Sequence, residues 1–246
     1  MSLSPAQQQY ISELERCHKL ILNQKDSLDI ASQKIFFSLK EGGVMHVFGS
    51  GHSHSLAEEL FHRAGGLVPV NAILEDYLMP HSGPSRVGPL ERTPGIAKVI
   101  YNAHKMQKGE CLLLASNSGI NAVTSELCEM ARSNGIFTIA FTSLTHSKQS
   151  PGRGNKKLFE VADLSIDTGT PFGDACVKLP NLEINVAPLS TLATIFAAQL
   201  IVVRVCELFS EAGLTPPVYQ SANTPGGEER NKALEDKYRH RIQHLI

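Results

Sequence analysis

The sequence lacks an excess of charge of either sign. It has 23 lysines and arginines against 24 aspartates and glutamates, so its formal net charge at pH 7 is −1. No run of five like charges occurs in the chain. Proteins that bind nucleic acid or anionic lipid usually carry clustered basic residues. The charge pattern therefore argues against nucleic acid and membranes as partners.

The sequence also lacks a cysteine motif and the features of a signal peptide. The five cysteines are scattered, odd in number and without a Cys-x-x-Cys pair, which argues against a disulfide framework and a structural zinc site. We expect buried, reduced thiols. Residues 1–9 are polar and lack the basic and apolar regions of a signal peptide, so we expect a cytoplasmic protein.

Only one long stretch of the chain is without charge. Residues 184–203 reach about the 20 residues that a membrane span needs. Polar residues and a proline interrupt the stretch, among them Asn185, Pro188 and Gln199. We therefore predict a helix buried inside the protein rather than a transmembrane segment.

The residues that are present describe a globular α/β protein. Apolar residues make up 42% of the 246 residues and charged residues 19%, which is enough to bury a large core. We expect one compact domain with three parts. These are a helical N-terminal extension at 1–43, a main α/β domain at 44–215 and a C-terminal tail with a helix at 216–246.

Hydrophobic periodicity indicates alternating strands and helices. Continuous apolar runs predict strands at 44–48, 68–74, 111–115, 136–141 and 162–167. Helical patterns occur at 11–22, 28–39, 53–64, 95–104, 121–133, 189–212 and 228–244. Uninterrupted apolar strands are typical of a parallel sheet buried on both faces. The irregular segment 75–94 holds four prolines and is a candidate lid.

Two strand-to-helix junctions carry glycine and small hydroxyl residues. The first reads Gly-Ser-Gly-His-Ser at 49–53, and the second reads Ser-Asn-Ser-Gly-Ile-Asn at 116–121. A helix that begins there presents free N–H groups and the positive end of its dipole to an anion. Glycine lets the backbone approach closely, and serine hydroxyls donate further hydrogen bonds. The two junctions together predict a phosphate site at the strand ends.

These loops have other interpretations. Serine as an ordinary helix N-cap would use the same residue types. A dinucleotide-binding loop does not fit, because the third glycine position after Gly49 and Gly51 holds His54. The nearest acids at a strand end, Glu75 and Asp76, also come late. A Walker loop is missing, since no Gly-Lys-Ser or Gly-Lys-Thr occurs.

With Ala-Pro-Leu-Ser-Thr at 187–191, the two loops resemble the SIS (sugar isomerase) domain family over about residues 30–215. The likeness is strongest to stand-alone bacterial members labelled sugar or phosphoheptose isomerases. It implies a three-layer α/β/α sandwich with a five-stranded parallel sheet of flavodoxin-like type, in which 44–215 form the SIS domain. It also implies a homodimer or homotetramer that binds a phosphosugar near a subunit interface and requires no cofactor.

The resemblance also assigns the residues that bind the phosphosugar. By position, they are Ser50, Gly51, Ser53, Ser116, Asn117, Ser118 and Asn121. Asn121 stands where many members carry threonine. The roughly forty residues before the first strand are too few for the DNA-binding domain of SIS transcription regulators, and the chain is too short for the nucleotide-sensing domains of some arabinose-phosphate isomerases. A free-standing enzyme is favoured.

Sugar isomerisation needs a carboxylate or imidazole near the phosphate anchor. Heptose isomerases carry an Ala-Glu-Glu-Leu segment like 57–60 here, so Glu58 or Glu59 is the expected base. His54 lies one helical turn before Glu58, and His81 in the candidate lid is expected at the pocket mouth as an acid for ring opening. The alternative interpretation of the Glu58 face is an exposed, functionally silent helix surface.

Three further expectations concern metal, lid and substrate. His54, Glu58 and His62 fall at i, i+4 and i+8, so they form a possible divalent metal site. Glu91 and the arginine after it are expected to bind ligand or order the lid. Heptose isomerases usually carry a histidine on the late helix, but 189–212 has none, which argues against heptose phosphate as the substrate.

Three functions remain open at this point. The leading hypothesis is a cytoplasmic aldose–ketose isomerase acting on a sugar phosphate or amino-sugar phosphate. The second is a lyase like the N-acetylmuramic acid 6-phosphate etherases, which share the SIS fold and use a glutamate. The third is a non-catalytic phosphosugar sensor that binds a partner protein. The glutamates on the helix after the first loop favour the enzymes.

Overall fold

The computed structural model describes residues 2–245, which form a central sheet with helices on both faces. The strands are β1 (Met45–Gly49), β2 (Val70–Ile73), β3 (Cys111–Ala115), β4 (Phe137–Thr142), β5 (Leu164–Asp167), β6 (Ala175–Val177) and β7 (Val186–Pro188). The helices are α1 (Pro5–Leu22), α2 (Lys25–Lys40), α3 (Ser55–Leu60), α4 (Pro84–Arg92), α5 (Ile96–Ala103), α6 (Ala122–Ser133), α7 (Leu144–Gln149), α8 (Leu158–Val161), α9 (Ser190–Glu211) and α10 (Gly227–Tyr238). Short 3-10 turns lie at Gly51–His54, Asp76–Leu78 and Pro80–Ser82.

The main sheet has five parallel strands in the order β2-β1-β3-β4-β5. Each neighbouring pair is parallel, from Met45 opposite Val70 at one edge to Ile139 opposite Leu164 at the other. Every residue of β1, β2 and β3 is buried, as continuous apolar strands in a covered sheet should be. The predicted three-layer, flavodoxin-like α/β fold is confirmed.

Two hydrophobic cores flank the sheet. Helices α1, α2, α3 and α9 cover one face, where Val47, Leu113 and Phe141 pack among residues such as Ile35. Helices α5 and α6 cover the other face, which includes Phe48. Because α1 and α2 fill the first core, the N-terminal helices pack as part of the main fold.

Helix α9 is long and strongly apolar. An 18-residue window within its 22 residues has a mean hydropathy of 1.9, and by length and composition it is the one helix of the described residues 2–245 that could cross a membrane. Ala193, Ala197, Ile201 and Val205 form a buried stripe at i, i+4 spacing that packs against α2 and neighbouring helices. The predicted helix packed inside the protein is confirmed.

Several of the sequence-based element boundaries were wrong. Helix α1 begins at Pro5, six residues before its predicted start. Helix α3 ends at Leu60, four residues before its predicted end. The segment 75–94, predicted as irregular, contains α4. Pro84 stands in the first turn, where proline is tolerated, and Pro89 lies inside the helix. Helix α10 ends at Tyr238, after which Ile242 and Leu245 pack onto Val44. The short elements α7, α8, β6 and β7 were not predicted.

All five cysteines are free thiols, as the sequence predicted. Cys17, Cys111, Cys128 and Cys176 are buried, and Cys206 is partly buried. Burial raises the pKa of Cys111 and of Cys128 to about 12. A thiol with so high a pKa carries almost no thiolate at neutral pH and is unreactive.

Candidate functional site

The two predicted phosphate loops meet at one end of the sheet. Strands β1 and β3 lie side by side, and the helices that follow them pack on opposite faces, α3 against α9 and α6 against α5. This is where the strand order reverses, which leaves a crevice outside the carboxyl ends of the strands. Ligands of open α/β sheets bind in such crevices.

The first loop turns sharply after β1 and enters the 3-10 turn at Gly51–His54. Gly51 has a φ of +57°, a left-handed conformation that glycine adopts without strain. Ser50 Oγ donates a hydrogen bond to Glu91 Oε2 over 2.9 Å. The segment predicted as a lid therefore lies against the first loop and contributes a carboxylate to it.

A Gly49→Ala substitution is expected to disrupt this loop. A Cβ atom at Gly49 would lie 2.3 Å from the backbone oxygen of Ser53, and the backbone would have to shift to relieve the overlap. We expect a loss of about 1–3 kcal/mol in the free energy of unfolding, measured by denaturant titration. Gly152→Ala is the control, because a Cβ there meets open space. Equal stability of the two variants would contradict the tight turn.

The second loop is held by its own hydrogen bonds. Ser116 Oγ accepts from the Gly119 N–H over 3.1 Å, and Asn117 Oδ1 accepts from Thr170 Oγ1 over 2.7 Å. The Ser118 hydroxyl makes no hydrogen bond with the described residues. The loop is thus ordered by its neighbours while the Ser118 hydroxyl stays available to a ligand.

The start of α6 brings a cation to the second loop. Asn121 precedes the helix, and its Oδ1 accepts a hydrogen bond from Arg153 Nη1. Arg153 lies between Gly152 and Gly154, in a loop that the sequence analysis did not connect to the site. Its guanidinium lies beside a helix N-terminus, where backbone N–H groups already favour an anion.

A small cleft lies between the two loops and the start of α9. Its lining residues are His52, Ser53, Ser55, Leu56, Ala115, Asn117, Ser190, Thr191, Thr194 and Ile195. Most of them carry hydroxyl, amide or imidazole groups. Of the predicted phosphosugar contacts, Ser53 and Asn117 line the cleft, while Ser50, Gly51, Ser116, Ser118 and Asn121 lie in the loops beside it.

Asp174 fixes the start of α9 beside this cleft. Its Oδ1 accepts from the backbone N–H groups of Leu189 and Ser190 over 3.1 and 2.8 Å. Its Oδ2 accepts from Ser190 Oγ over 2.7 Å. These contacts satisfy amides that begin the helix. Thr191 and Thr194 are held on the cleft wall by the helix that Asp174 caps.

Two of the predicted imidazoles come together at the first loop. His54 Nδ1 donates to the Gly51 carbonyl, and His54 Nε2 lies 3.4 Å from Glu58 Oε1. The ring of His81 is edge-on to that of His54, with 6.3 Å between the ring centres. The structure therefore groups His54, Glu58 and His81 near the Glu91 carboxylate.

Glu59 is engaged differently from Glu58. Its carboxylate accepts a hydrogen bond from Gln199 Nε2 of α9 over 2.9 Å and pairs with Arg63. The Glu58 side chain, in contrast, is 54% exposed. The Glu59 carboxylate is thus already bound by Gln199 and Arg63, and its hydrogen bond to Gln199 joins α3 to α9.

The premise of the possible metal site was wrong. Because α3 ends at Leu60, His62 does not continue the helix face of His54 and Glu58. His62 has a φ of +45°, and its Nε2 lies 3.2 Å from Glu235 Oε1 on α10. Within residues 2–245, no group of three or more histidine, cysteine, aspartate or glutamate side chains is placed to hold a metal ion.

Several residues of the site were assigned no role from the sequence. His52, Thr191 and Thr194 line the cleft, and Arg153 reaches α6 from a distant loop. Glu91 was expected to bind ligand or order the candidate lid, but its contact with Ser50 was not predicted. Their positions depend on packing between segments far apart in the chain, which hydrophobic periodicity does not report.

Comparison with known proteins defines the class. The family model of the SIS domain matches residues 9–143, and the chain belongs to the SIS domain family. It is 38% identical over 242 residues to the UPF0309 protein of Caldanaerobacter subterraneus subsp. tengcongensis, with 96% of this chain and 98% of that protein covered. It is 36% identical over 241 residues to the UPF0309 protein of Geobacillus kaustophilus, with 97% and 96% covered.

Solved structures share the fold. A phosphoheptose isomerase from Francisella tularensis matches with a TM-score of 0.53 and 16% identity, covering 86% of this chain and 100% of that chain. The C-terminal domain of glucosamine-fructose-6-phosphate aminotransferase from Francisella tularensis matches with a TM-score of 0.50 and 13% identity, covering 98% and 54%. At these identities the likeness establishes the fold.

Proposed function

We propose that this SIS protein binds a phosphosugar in the cleft between β1 and β3 and interconverts its aldose and ketose forms. The observation that carries the proposal is the convergence of two anion-type loops on one cleft, with the Glu58 and Glu91 carboxylates grouped at the first loop. A phosphate dianion and a proton-transferring carboxylate need separate places, because like charges repel at short range. The arrangement provides both places within one ligand's length.

The phosphate end is assigned to the second loop. It combines the N-terminus of α6, the available Ser118 hydroxyl and the Arg153 guanidinium beside Asn121. The carboxylate of Glu91 at Ser50 disfavours a dianion at the first loop. Thr191 at the start of α9 then faces the sugar portion of the ligand.

The proton-transfer end is assigned to the first loop. Glu91 is the proposed base, because Ser50 holds its carboxylate at the first loop beside the cleft. The base takes the proton from carbon 2 of the open-chain aldose to give an enediolate. It returns that proton to carbon 1, while the proton of the carbon 2 hydroxyl moves to oxygen 1. His54 and His81 are the proposed acids for ring opening, with Glu58 beside His54.

The phosphate assignment is tested with Ser118→Ala. We expect hexose and N-acetylamino-sugar phosphates to raise the melting temperature of the wild-type protein. The variant should bind the best of them about tenfold or more weakly, because it loses a hydrogen bond to a charged group. Ser133→Ala, at the other end of α6, is the matched control. Unchanged binding by Ser118→Ala would contradict the assignment.

The reaction is tested by NMR on whichever sugar phosphate binds. Exchange between aldose and ketose supports isomerisation, whereas release of lactate from a lactyl-ether sugar would indicate a lyase. Binding without turnover would indicate a sensor and would overturn the proposed reaction.

We also propose the homodimer or homotetramer that the family resemblance implies. Leu192, which lies next to Thr191 on α9, is exposed and is a candidate contact with a second copy.

A further inference from the structure

A second cavity lies at the opposite end of the sheet from the cleft. It encloses about 230 Å³ between β2, the end of α5 and the segment that follows α10. The polar and charged residues at its wall include Asn71, His104, Lys105, Arg239, His240 and Arg241. None of the described residues that line it is acidic. The proposed isomerisation uses none of these groups.

The arginines of this cavity are oriented by acids that lie behind them. Arg241 Nη2 donates to Glu110 Oε1 over 2.6 Å, and both side chains are nearly buried. Arg239 Nη2 donates to Asp236 Oδ1 over 3.1 Å. Guanidinium groups held in this way present their remaining N–H groups in a fixed direction, as anion sites require.

Lys105 occupies an unusual backbone position at the cavity wall. It follows the last residues of α5 with a φ of +47°, where glycine or asparagine is the usual residue. A lysine in this conformation costs about 1 kcal/mol relative to glycine. Its ammonium group makes no ion pair or hydrogen bond with the described residues. The backbone thus places an unpaired cation at the cavity.

A chain of buried hydrogen bonds forms the inner wall. Asn71 Nδ2 lies 3.0 Å from His46 Nδ1 and 3.2 Å from His104 Nδ1. The Nε2 atoms of His46 and His104 lie 2.9 and 3.2 Å from Glu110 and Glu75. Burial lowers the pKa of His46, which favours its neutral form. The His46 imidazole then donates from Nε2 to Glu110 and accepts at Nδ1 from Asn71.

This arrangement leaves two polar atoms of lining residues without partners. Asn71, which is 1% exposed, uses both amide hydrogens, and its Oδ1 accepts from none of the described residues. Arg241 Nε is likewise a buried donor without an acceptor. Both atoms belong to residues that line the cavity but are themselves buried, so the Asn71 and Arg241 side chains must turn to meet a ligand that carries both an anionic group and a hydroxyl group.

We propose that this cavity binds a small hydroxylated anion, at a site separate from the phosphosugar cleft. Lys105, Arg239 and Arg241 bind the anionic group, and Asn71 accepts from the hydroxyl. The volume is below the usual range for drug-sized ligands, so it suits a molecule of about three to four carbons. The anionic group is either a phosphate ester or a carboxylate, which present the same oxygen acceptors.

The experiment titrates the full-length protein with glycerol 3-phosphate and, separately, with malate. Binding is followed through the imidazole NMR signals of His104 and His240, with His54 reporting on the cleft. We expect one of the two probes to shift the His104 and His240 signals. Lys105→Gln and Arg239→Gln should each weaken this response about tenfold or more, since each loses a charge-assisted hydrogen bond.

Two further variants separate binding from structure. Lys98→Gln removes an exposed charge from the same helix α5 and should leave the response unchanged. Lys105→Gly removes the amine but suits the left-handed backbone, so it should weaken binding while keeping or raising stability. His104 and His240 signals that both probes leave unmoved would overturn the proposal. Equal affinities of Lys105→Gln, Arg239→Gln and Lys98→Gln for the probe would also overturn it. Lys105 and Arg239 would then only interact with the ends of their helices.

Discussion

Glu91→Gln is expected to lower turnover of the sugar phosphate by about 10²–10⁴-fold while leaving its binding nearly unchanged. Glutamine preserves the size of the side chain and the hydrogen bond from Ser50, but it cannot accept the substrate proton. The measurement is the rate of aldose–ketose exchange by NMR, together with the dissociation constant from a thermal or calorimetric titration. A loss in rate without a loss in binding is what removal of a base predicts.

Three comparisons make this result specific to Glu91. Glu59→Gln should act mainly on stability, because the Glu59 carboxylate is bound by Gln199 and Arg63. Glu15→Gln removes an exposed carboxylate on α1 and should leave the rate unchanged. Full activity of Glu91→Gln together with inactivity of Glu58→Gln would move the base to α3, as the sequence alone had suggested.

Glu110→Gln is expected to destabilise the protein by about 3–5 kcal/mol. Four donors surround the Glu110 carboxylate: the backbone N–H groups of Val44 and Gln107, Arg241 Nη2 and His46 Nε2. An amide would turn one of its two acceptor positions into a donor and leave the Arg241 charge without a carboxylate. The measurement is the free energy of unfolding in urea.

Glu129→Gln is the control for this variant, because the Glu129 carboxylate is exposed and its Oε1 lies 3.9 Å from Lys156 Nζ. A surface pair of this kind contributes little to stability. Glu110→Gln should therefore unfold at clearly lower urea concentration than Glu129→Gln. Equal midpoints would show that the buried network makes no net contribution, and the tail after α10 would need another anchor.

The same network predicts how stability depends on pH. Burial alone would raise the pKa of Glu110, but hydrogen bonds from His46, Gln107 and Arg241 hold it below its usual value. Burial lowers the pKa of His46 below its usual 6.5. In both cases the unfolded chain binds more protons than the folded one, so stability rises with pH. The free energy of unfolding should fall as pH drops below about 6.5, and further below about 4.5 as the carboxyl protonates.

The layer architecture was predictable because it depends on patterns that act locally. Continuous apolar runs such as 111–115 report strands covered on both sides, and the i, i+4 stripe from Ala193 to Val205 reports a core helix. The end of α3 at Leu60 was not predictable, since the chain leaves the helix to place His62 against α10. Tertiary contacts of this kind override helix propensity.

The candidate site was likewise predictable only in part. The two loops could be predicted from the sequence, because glycine and serine between a strand and a helix are the residues that anion-binding loops use. Glu91 at Ser50 and Arg153 at Asn121 join segments separated by 41 and 32 residues. Such pairings depend on how the lid and the loop after β4 fold back on the sheet, so no spacing in the sequence reports them.

The sequence by itself determined a parallel α/β sheet, two anion-type loops at its carboxyl ends and a chain without the charge for nucleic acid. These follow from residue type and periodicity, which act over a few residues. Only the tertiary structure decided which carboxylate contacts the first loop and where the C-terminal tail docks. It also placed Asn71, His104 and Arg241 around one cavity, since they come from β2, the end of α5 and the tail, and only packing brings them together.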